Sequence, residues 1–213
     1  FIFSILLAIG AFRLPVSKKI TSNFPTVSIL ISSRNEERDI ERCIRSLEKL
    51  DYPTELLQVI LVDDLSTDQT RSYLDRAAGR NTHFESYSTT EMPPTHLEAK
   101  ARGIAYAASK AKGEWLFITD ADCEVPKGWL KHMLYGVDDD TGVITAAMDT
   151  ESSSFVGILE KIASLGRLLF GFGLAGYGVS SFALGPNMAI RHSVYKEAGG
   201  LEKADFRIAE DIA

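Results

Sequence analysis

Cysteine, clustered basic charge and long apolar runs are all scarce in this chain, and each shortage removes a class of protein. The 213 residues hold two cysteines, Cys43 and Cys123. Two are too few for a disulfide framework and lack metal-site spacing, so a reducing compartment fits and both thiols read as core or near-core groups. Lys and Arg number 23 against 29 Asp and Glu, a formal net charge of −6. Apart from Arg13, Lys18 and Lys19 the basic residues are scattered, which excludes a nucleic-acid binder, because phosphate contacts need concentrated Lys and Arg. His83, His96, His132 and His192 show no ligand spacing and read as surface or packing residues, with His96 near enough to Lys100 to border a cleft. No repeat or low-complexity tract is present. What remains is ordinary for one globular domain with a real core: 45% hydrophobic and 24% charged residues.

The chain begins with Phe, and Phe1 to Phe12 is uncharged and strongly apolar. Twelve residues fall short of the about 20 that span a bilayer. The stretch is expected to be the remnant of an N-terminal transmembrane or anchor helix covering residues 1–14, with 15–25 as a linker marked by Pro15 and Pro25. Arg13, Lys18 and Lys19 directly after it would place the rest of the chain in the cytoplasm. A cleaved signal's apolar region or a domain-capping helix are the alternatives.

From Thr26 onward short β-branched runs alternate with helical patterns. Val27 to Ile31, Leu57 to Val62, His83 to Tyr87 and Trp115 to Thr119 read as strands; Glu36 to Leu50, Thr67 to Ala78 and Glu98 to Lys110 read as helices, the second with Ser66 or Thr67 as N-cap. That order predicts βαβ units and an α/β fold with a mostly parallel central sheet flanked by helices. Beyond Asp122, Lys127 to Tyr135 looks helical, Gly142 to Met148 like a strand, and Ser153 to Leu169 like an apolar helix. Gly166, Gly171, Gly173, Gly176 and Gly178 then punctuate a stretch too glycine-rich for a regular helix, one that would bend around a substrate or lie on a membrane, the alternative being a buried helix and its flexible exit. Trp115 and Trp129 read as core, with Trp129 equally able to wall a donor site.

Three acidic clusters follow apolar runs: Asp63 with Asp64, Asp120 with Asp122, and Glu210 with Asp211. Carboxylates at the carboxyl ends of buried strands project into the crevice where α/β folds bind ligands, so convergent clusters point to a cation and an anionic substrate. In an extended backbone the carboxylates of Asp120 and Asp122 lie on one side, where they would hold a divalent cation completed by phosphate and water oxygens. Helix capping explains Ser66, Thr67 and Asp68, but not the preceding Asp pair, which suits a base N–H or a ribose hydroxyl. After the first strand stands Ser32-Ser33-Arg34-Asn35-Glu36-Glu37 in place of a glycine-rich fingerprint, which counts against a nicotinamide or flavin enzyme.

Taken together, the runs Val27 to Glu37, Val62-Asp63-Asp64-Leu65-Ser66-Thr67-Asp68, Thr119-Asp120-Ala121-Asp122-Cys123, Gly185-Pro186-Asn187-Met188-Ala189 and Glu210-Asp211 resemble the family-2 glycosyltransferases of GT-A fold. Membrane-anchored members related to ceramide glucosyltransferases and bacterial polysaccharide synthases look most similar, over residues 26–213. The resemblance implies a Rossmann-like GT-A catalytic domain there. It further implies an inverting, metal-dependent transfer of a sugar from a nucleotide-diphosphate sugar, UDP-linked by expectation, to a lipid or glycan acceptor. Ser32, Arg34 and Asn35 would border the nucleotide, Asp64 with Asp63 would contact the base, and Lys100 would face the nucleotide. Asp120 would lie by the ribose, and Asp122, with Asp120, would bind Mg²⁺ or Mn²⁺ through the diphosphate. Asp211 would be the acceptor-activating general base, with Glu210 beside it. Arg34 departs from the pattern, since many relatives have an aromatic there. Relatives of this type continue past the Glu-Asp pair into a Gln/Arg/Trp motif and further membrane helices.

Two other functions stay open. A nucleotidyltransferase also pairs a nucleotide-binding sheet with metal-binding aspartates, but would present a glycine- and basic-rich phosphate loop after the first strand. A catalytically silent membrane-associated scaffold would have no need of Asp122 and Asp211.

Overall fold

Period-two alternation in four strands buries apolar side chains on both faces of one sheet, and that decides the architecture. The computed structural model describes residues 2–13, 24–147, 155–179 and 185–203. In chain order it contains α1 (Ile2–Phe12), β1 (Val27–Ser33), α2 (Ile40–Leu47), β2 (Leu57–Asp63), α3 (Thr70–Arg80), β3 (Phe84–Ser88) and α4 (Ala99–Lys110). There follow β4 (Trp115–Ile118), α5 (Trp129–Met133), β5 (Val143–Thr145), α6 (Phe155–Ala175), β6 (Met188–Arg191) and α7 (His192–Glu197). The six strands stand in the order β3-β2-β1-β4-β6-β5. β1 to β4 are mutually parallel where they pair, while β6 runs antiparallel to β4 and to β5. The expected mostly parallel α/β sheet is what forms.

Each strand feeds two cores. Ile29 and Ile31 of β1, Val59 and Leu61 of β2, and Trp115 and Phe117 of β4 share a cluster with Ile40, Ile44 and Leu47 of α2 and with Trp129 of α5. The alternate residues Leu30, Ile60, Val62, Leu116 and Ile118 pack with Ile104, Ala107 and Ala108 of α4 on the other face. Burial on both faces is why these strands read as near-continuous apolar runs. Trp129 is core, and its ring N–H donates to Asn187 Oδ1 at 2.9 Å.

Helix starts depart from the sequence expectation for one shared reason. α2 begins at Ile40 rather than Glu36, and α3 at Thr70 rather than Thr67. The intervening residues tie the loop after β1 to the loop after β2. Glu36 N–H donates to Thr70 Oγ1 at 2.7 Å, Glu37 N–H to Asp68 Oδ2 at 3.1 Å, and Gln69 N–H to Glu37 Oε2 at 3.1 Å. Neither Ser66 nor Thr67 caps α3; Asp68 Oδ1 accepts the Thr70 N–H at 2.9 Å instead.

The glycine-rich segment corrects another expectation. α6 runs regularly through Gly166, Gly171 and Gly173 to Ala175. Of these, Gly173 meets α1 at backbone distance, since a Cβ there would sit 2.7 Å from the Leu7 carbonyl oxygen; a Cβ on Gly10 of α1 would stand 2.7 Å from the Tyr177 ring, and nothing lies within 4 Å of one at Gly166. Tyr177 OH donates to the Leu6 carbonyl at 3.0 Å and Arg13 lies over the Tyr177 ring. At Gly173 and Gly10 close approach outweighs the helix-propensity cost of a glycine, about 1 kcal/mol each. Among the described residues, no helix is long and apolar enough to cross a membrane. Most of the expected linker and the final segment with Glu210 and Asp211 lie outside the described residues.

Gly103 in α4 and Gly79 in α3 make a matched test of this packing. A Cβ at Gly103 would collide with the Ser32 side chain, whereas nothing lies within 4 Å of one at Gly79. Gly103→Ala should therefore lower stability by about 1–3 kcal/mol through overpacking. Gly79→Ala should raise it by about 0.5–1 kcal/mol. Chemical denaturation of the two variants checks the opposite signs, and a stabilised Gly103→Ala would show that α4 does not press on β1.

Candidate active site

The chain passes β1, β2 and β3 in one direction across the sheet and then returns to place β4 on the other side of β1. Such a reversal opens a crevice at the carboxyl ends of the strands, because the flanking loops leave in opposite directions. Register brings the acidic clusters to this end. Ser33 pairs with Asp63, and Leu30 with Ile118, two residues before Asp120. The described non-glycine residues with positive φ also gather here: Asn35 at 57°, Leu65 at 62° and Ala99 at 44°. Backbone held in such sparsely populated regions is a mark of functional sites.

Ser32 is half-buried at the end of β1, and Arg34 and Asn35 are exposed just beyond it. Asn35 is less free than expected. Its N–H donates to Ser66 Oγ at 3.0 Å, and its Oδ1 accepts the Thr67 N–H at 2.8 Å. Its side-chain carbonyl therefore shapes the rim, joining the two loops.

Asp63 and Asp64 are buried, Asp64 to 1% exposure. Asp64 Oδ1 accepts from Arg102 Nε at 2.8 Å and from Thr89 Oγ1 at 2.8 Å. Among the described residues its Oδ2, which is buried, has no hydrogen-bond partner, and neither has the buried Asp63 Oδ1. A buried carboxylate oxygen without a donor is costly, so these two atoms are where a ligand N–H or O–H gains most. The hydrogen bond to Asp64 leads the causes that raise the Arg102 pKa, so this guanidinium stays charged.

Across the crevice, Lys100 forms an ion pair with Asp120. Asp122 is exposed, its backbone carbonyl accepts from Arg42 at 2.9 Å, and among the described residues its carboxylate takes only a weak contact from the Cys123 thiol at 3.5 Å. β4 ends at Ile118 and the chain turns at Ala121 and Asp122, with Cys123 N–H donating to the Asp120 carbonyl. The extended backbone expected to align Asp120 and Asp122 is thus replaced by a turn. Burial first, then Asp122, Asp39, Asp120 and Asp68, raise the pKa of Glu36. Five carboxylates acting on one another make a negative field that a cation would relieve.

Among the described residues no group of three or more His, Cys, Asp or Glu side chains could hold a metal ion alone. The residues nonetheless fit a hard divalent cation taking most of its oxygens from substrate and water: Asp122 is free to ligate, whereas Lys100 occupies Asp120. Arg102, Thr89, Arg42 and Glu36 were not anticipated. Arg102 had a signal, as the one cation between small buried residues of α4, Ala101 and Gly103.

A separate cavity of about 330 Å³ opens at the amino ends of the strands, lined by Thr26, Gln58, His83 and Lys112 among others. Its buried polar groups are already paired, with Gln58 bonded to Ser28, Glu85 and the Lys110 carbonyl. It stands at the opposite end from the acidic crevice.

In sequence and in fold the chain is similar to known glycosyltransferases. The family described as Glycosyl transferase family 2 matches residues 28–199. The chain belongs to that family. It is 24% identical over 209 residues to "Probable glycosyltransferase YdaM" of Bacillus subtilis (strain 168), covering 93% of this chain and 48% of that protein. It is 28% identical over 117 residues to a "Beta-monoglucosyldiacylglycerol synthase" of Nostoc sp., covering 55% of this chain and 24% of that one. The chain therefore spans about half or less of these relatives. In fold it is similar to the mannosyltransferase PcManGT from Pyrobaculum calidifontis, solved in complex with GDP-Man and Mn²⁺. The TM-score is 0.70 at 20% identity, over 92% of this chain and 54% of that one. The GT-A fold expected from the sequence is the fold observed.

The two thiols give a local test. Burial first, then Cys123 and the neighbouring aspartates, push the Cys43 thiol up to about 12; burial first, then Asp122 and Asp120, push Cys123 up to about 11. Only thiolate reacts quickly, so at mildly alkaline pH neither should label with a disulfide reagent until the protein is unfolded. Fast labelling of Cys123 in the native protein would show that the Asp120–Cys123 turn opens.

Proposed function

We propose that this domain binds a UDP-sugar and serves an inverting, metal-dependent transfer of the sugar to a lipid or glycan acceptor. The observation that carries it is the pairing, at one crevice, of a buried carboxylate with an unsatisfied oxygen, Asp64, and an exposed one, Asp122, two residues from the Asp120 that pairs with Lys100. Asp64 and Asp63 accept from the base, Asp120 lies toward the ribose, and Ser32 and Arg34 border the nucleotide. Mg²⁺ or Mn²⁺ held by Asp122 would neutralise charge on the departing diphosphate. Lys100, half-exposed and paired with only one carboxylate, can turn to the phosphates, because an exposed pair of this kind is worth about 0–1 kcal/mol.

Asp211 is assigned as the base that takes the acceptor's proton, with Glu210 beside it. A single carboxylate on the face opposite the leaving group suffices for one displacement, which inverts the reacting carbon. A lipid acceptor is supported by the diacylglycerol in the Nostoc relative's name. Membrane attachment with the catalytic domain on the cytoplasmic side is supported by the apolar α1, whose Ile5, Leu6, Ile9 and Phe12 are exposed, Phe12 to 91%, and by the basic residues that follow.

Titration calorimetry tests the donor site. UDP should bind more tightly with Mn²⁺ than with chelator, and Asp122→Ala should abolish the difference while leaving the metal-free affinity in place. Equal affinity in the wild type with and without metal would remove the metal from the site. Turnover tests the base: Asp211→Asn in the intact enzyme should keep donor affinity and lose about 10²–10⁴ in rate. Near-normal turnover in that variant would shift the role to another group, Glu210 first.

A further inference from the structure

Asp64 is half occupied in a way that constrains what it can read. A carboxylate has two acceptor oxygens with about four lone-pair directions between them. On Oδ1, Arg102 Nε and Thr89 Oγ1 both donate at 2.8 Å, so that oxygen is filled. Oδ2 is buried and has no partner among the described residues. The side chain is 1% exposed, and its backbone N–H is fixed on the Ser33 carbonyl at 2.8 Å, so it cannot turn to offer both oxygens. Asp64 thus presents one acceptor. Among the described residues Arg102 has spent only Nε, on Oδ1, which leaves its terminal amino groups as further donors on the same guanidinium.

Bases differ in the pattern they bring to such an edge. Guanine presents two neighbouring donors, N1–H and the N2 amino group, which match the two oxygens of a free carboxylate. Here one of them would face the filled Oδ1 and lose its water without gaining an acceptor. Uracil presents a single donor, N3–H, flanked by two carbonyls. Its N–H meets Oδ2 and a carbonyl meets the Arg102 guanidinium. A site built around hydrogen bonds rejects a ligand that leaves buried groups unpaired far more strongly than a site built on shape.

We infer that Arg102 and Thr89 select the donor's base: by filling Asp64 Oδ1 they leave a one-acceptor site that takes a uracil nucleoside diphosphate and turns away guanine. Arg102 is a positioning residue for Asp64 and a direct partner of a uracil carbonyl; Thr89 acts through Asp64 alone. The inference rests on the reading of this crevice as a nucleotide-sugar site. α4 makes the arrangement possible, because Gly103 lets its first turn sit on Ser32 and carry Arg102 over the end of β2.

The test is calorimetric titration of UDP and GDP, each with Mn²⁺, into the wild type, Thr89→Val, Thr89→Ser and Arg102→Met. Wild type should favour UDP by about tenfold or more. Thr89→Val frees one lone pair on Oδ1 and Arg102→Met another, so in both the UDP-to-GDP ratio should fall by several-fold, through weaker UDP and stronger GDP binding. Thr89→Ser keeps the hydroxyl and should restore the ratio. A merely structural role would weaken both nucleotides together. If Arg102→Met does not fold, the Thr89 pair decides alone. A wild type that favours GDP, or a ratio unmoved in Thr89→Val, overturns the inference while leaving the nucleotide site intact. Failure of the wild type to bind either nucleotide overturns the site itself.

Discussion

Helix α4 has to carry the chain from β3 at one edge of the sheet back past β2 and β1 to β4, and the site depends on how close that crossing lies. Gly103 against Ser32 sets the distance. With the helix pressed down, Lys100 and Arg102 of its first two turns reach acidic residues on different strands, Asp120 after β4 and Asp64 after β2. Ala107 and Ala108, small and fully packed, hold the same helix on Leu30 and Ile60. One packing contact thereby spaces the two cations that the proposed reading sets against base and diphosphate.

The two ion pairs differ in what they can do. Arg102 and Asp64 are largely removed from water, and breaking a buried pair typically costs about 3–5 kcal/mol, so this pair is a fixed part of the wall. Lys100 and Asp120 are both partly exposed. Theirs is a weak contact that a phosphate can replace. In the proposed reading the rigid element would read the base and the movable one would meet the charge that changes during reaction. The exposed Asp122, which after burial is the next cause raising the Glu36 pKa, would supply the place for a cation between them.

Much of this was legible in the sequence because it follows from periodicity. Strands buried on both faces gave continuous apolar runs, and the acids just beyond Val62 and Thr119 marked the sheet's carboxyl end. Features set by contacts between distant segments were not legible. Ser66 and Thr67 have the chemistry of helix caps, yet they serve Asn35, more than thirty positions away. The glycines from 166 onward suggest a broken helix until α1 is placed against Gly173. Asp120 and Asp122 align only if the strand continues, and it stops at Ile118. Arg102 carried a signal in its small-residue surroundings, but its partner, Asp64, could be identified only once α4 was laid on the sheet.

The most direct measurement is a crystal structure of the protein with UDP and Mn²⁺ bound. The uracil N3 should lie within hydrogen-bond distance of Asp64 Oδ2, and the metal should bridge Asp122 and the diphosphate at the carboxyl ends of β1 and β4. Nucleotide found instead in the cavity at the amino ends, against Gln58 and Lys112, with the acidic crevice unchanged, would contradict the assignment.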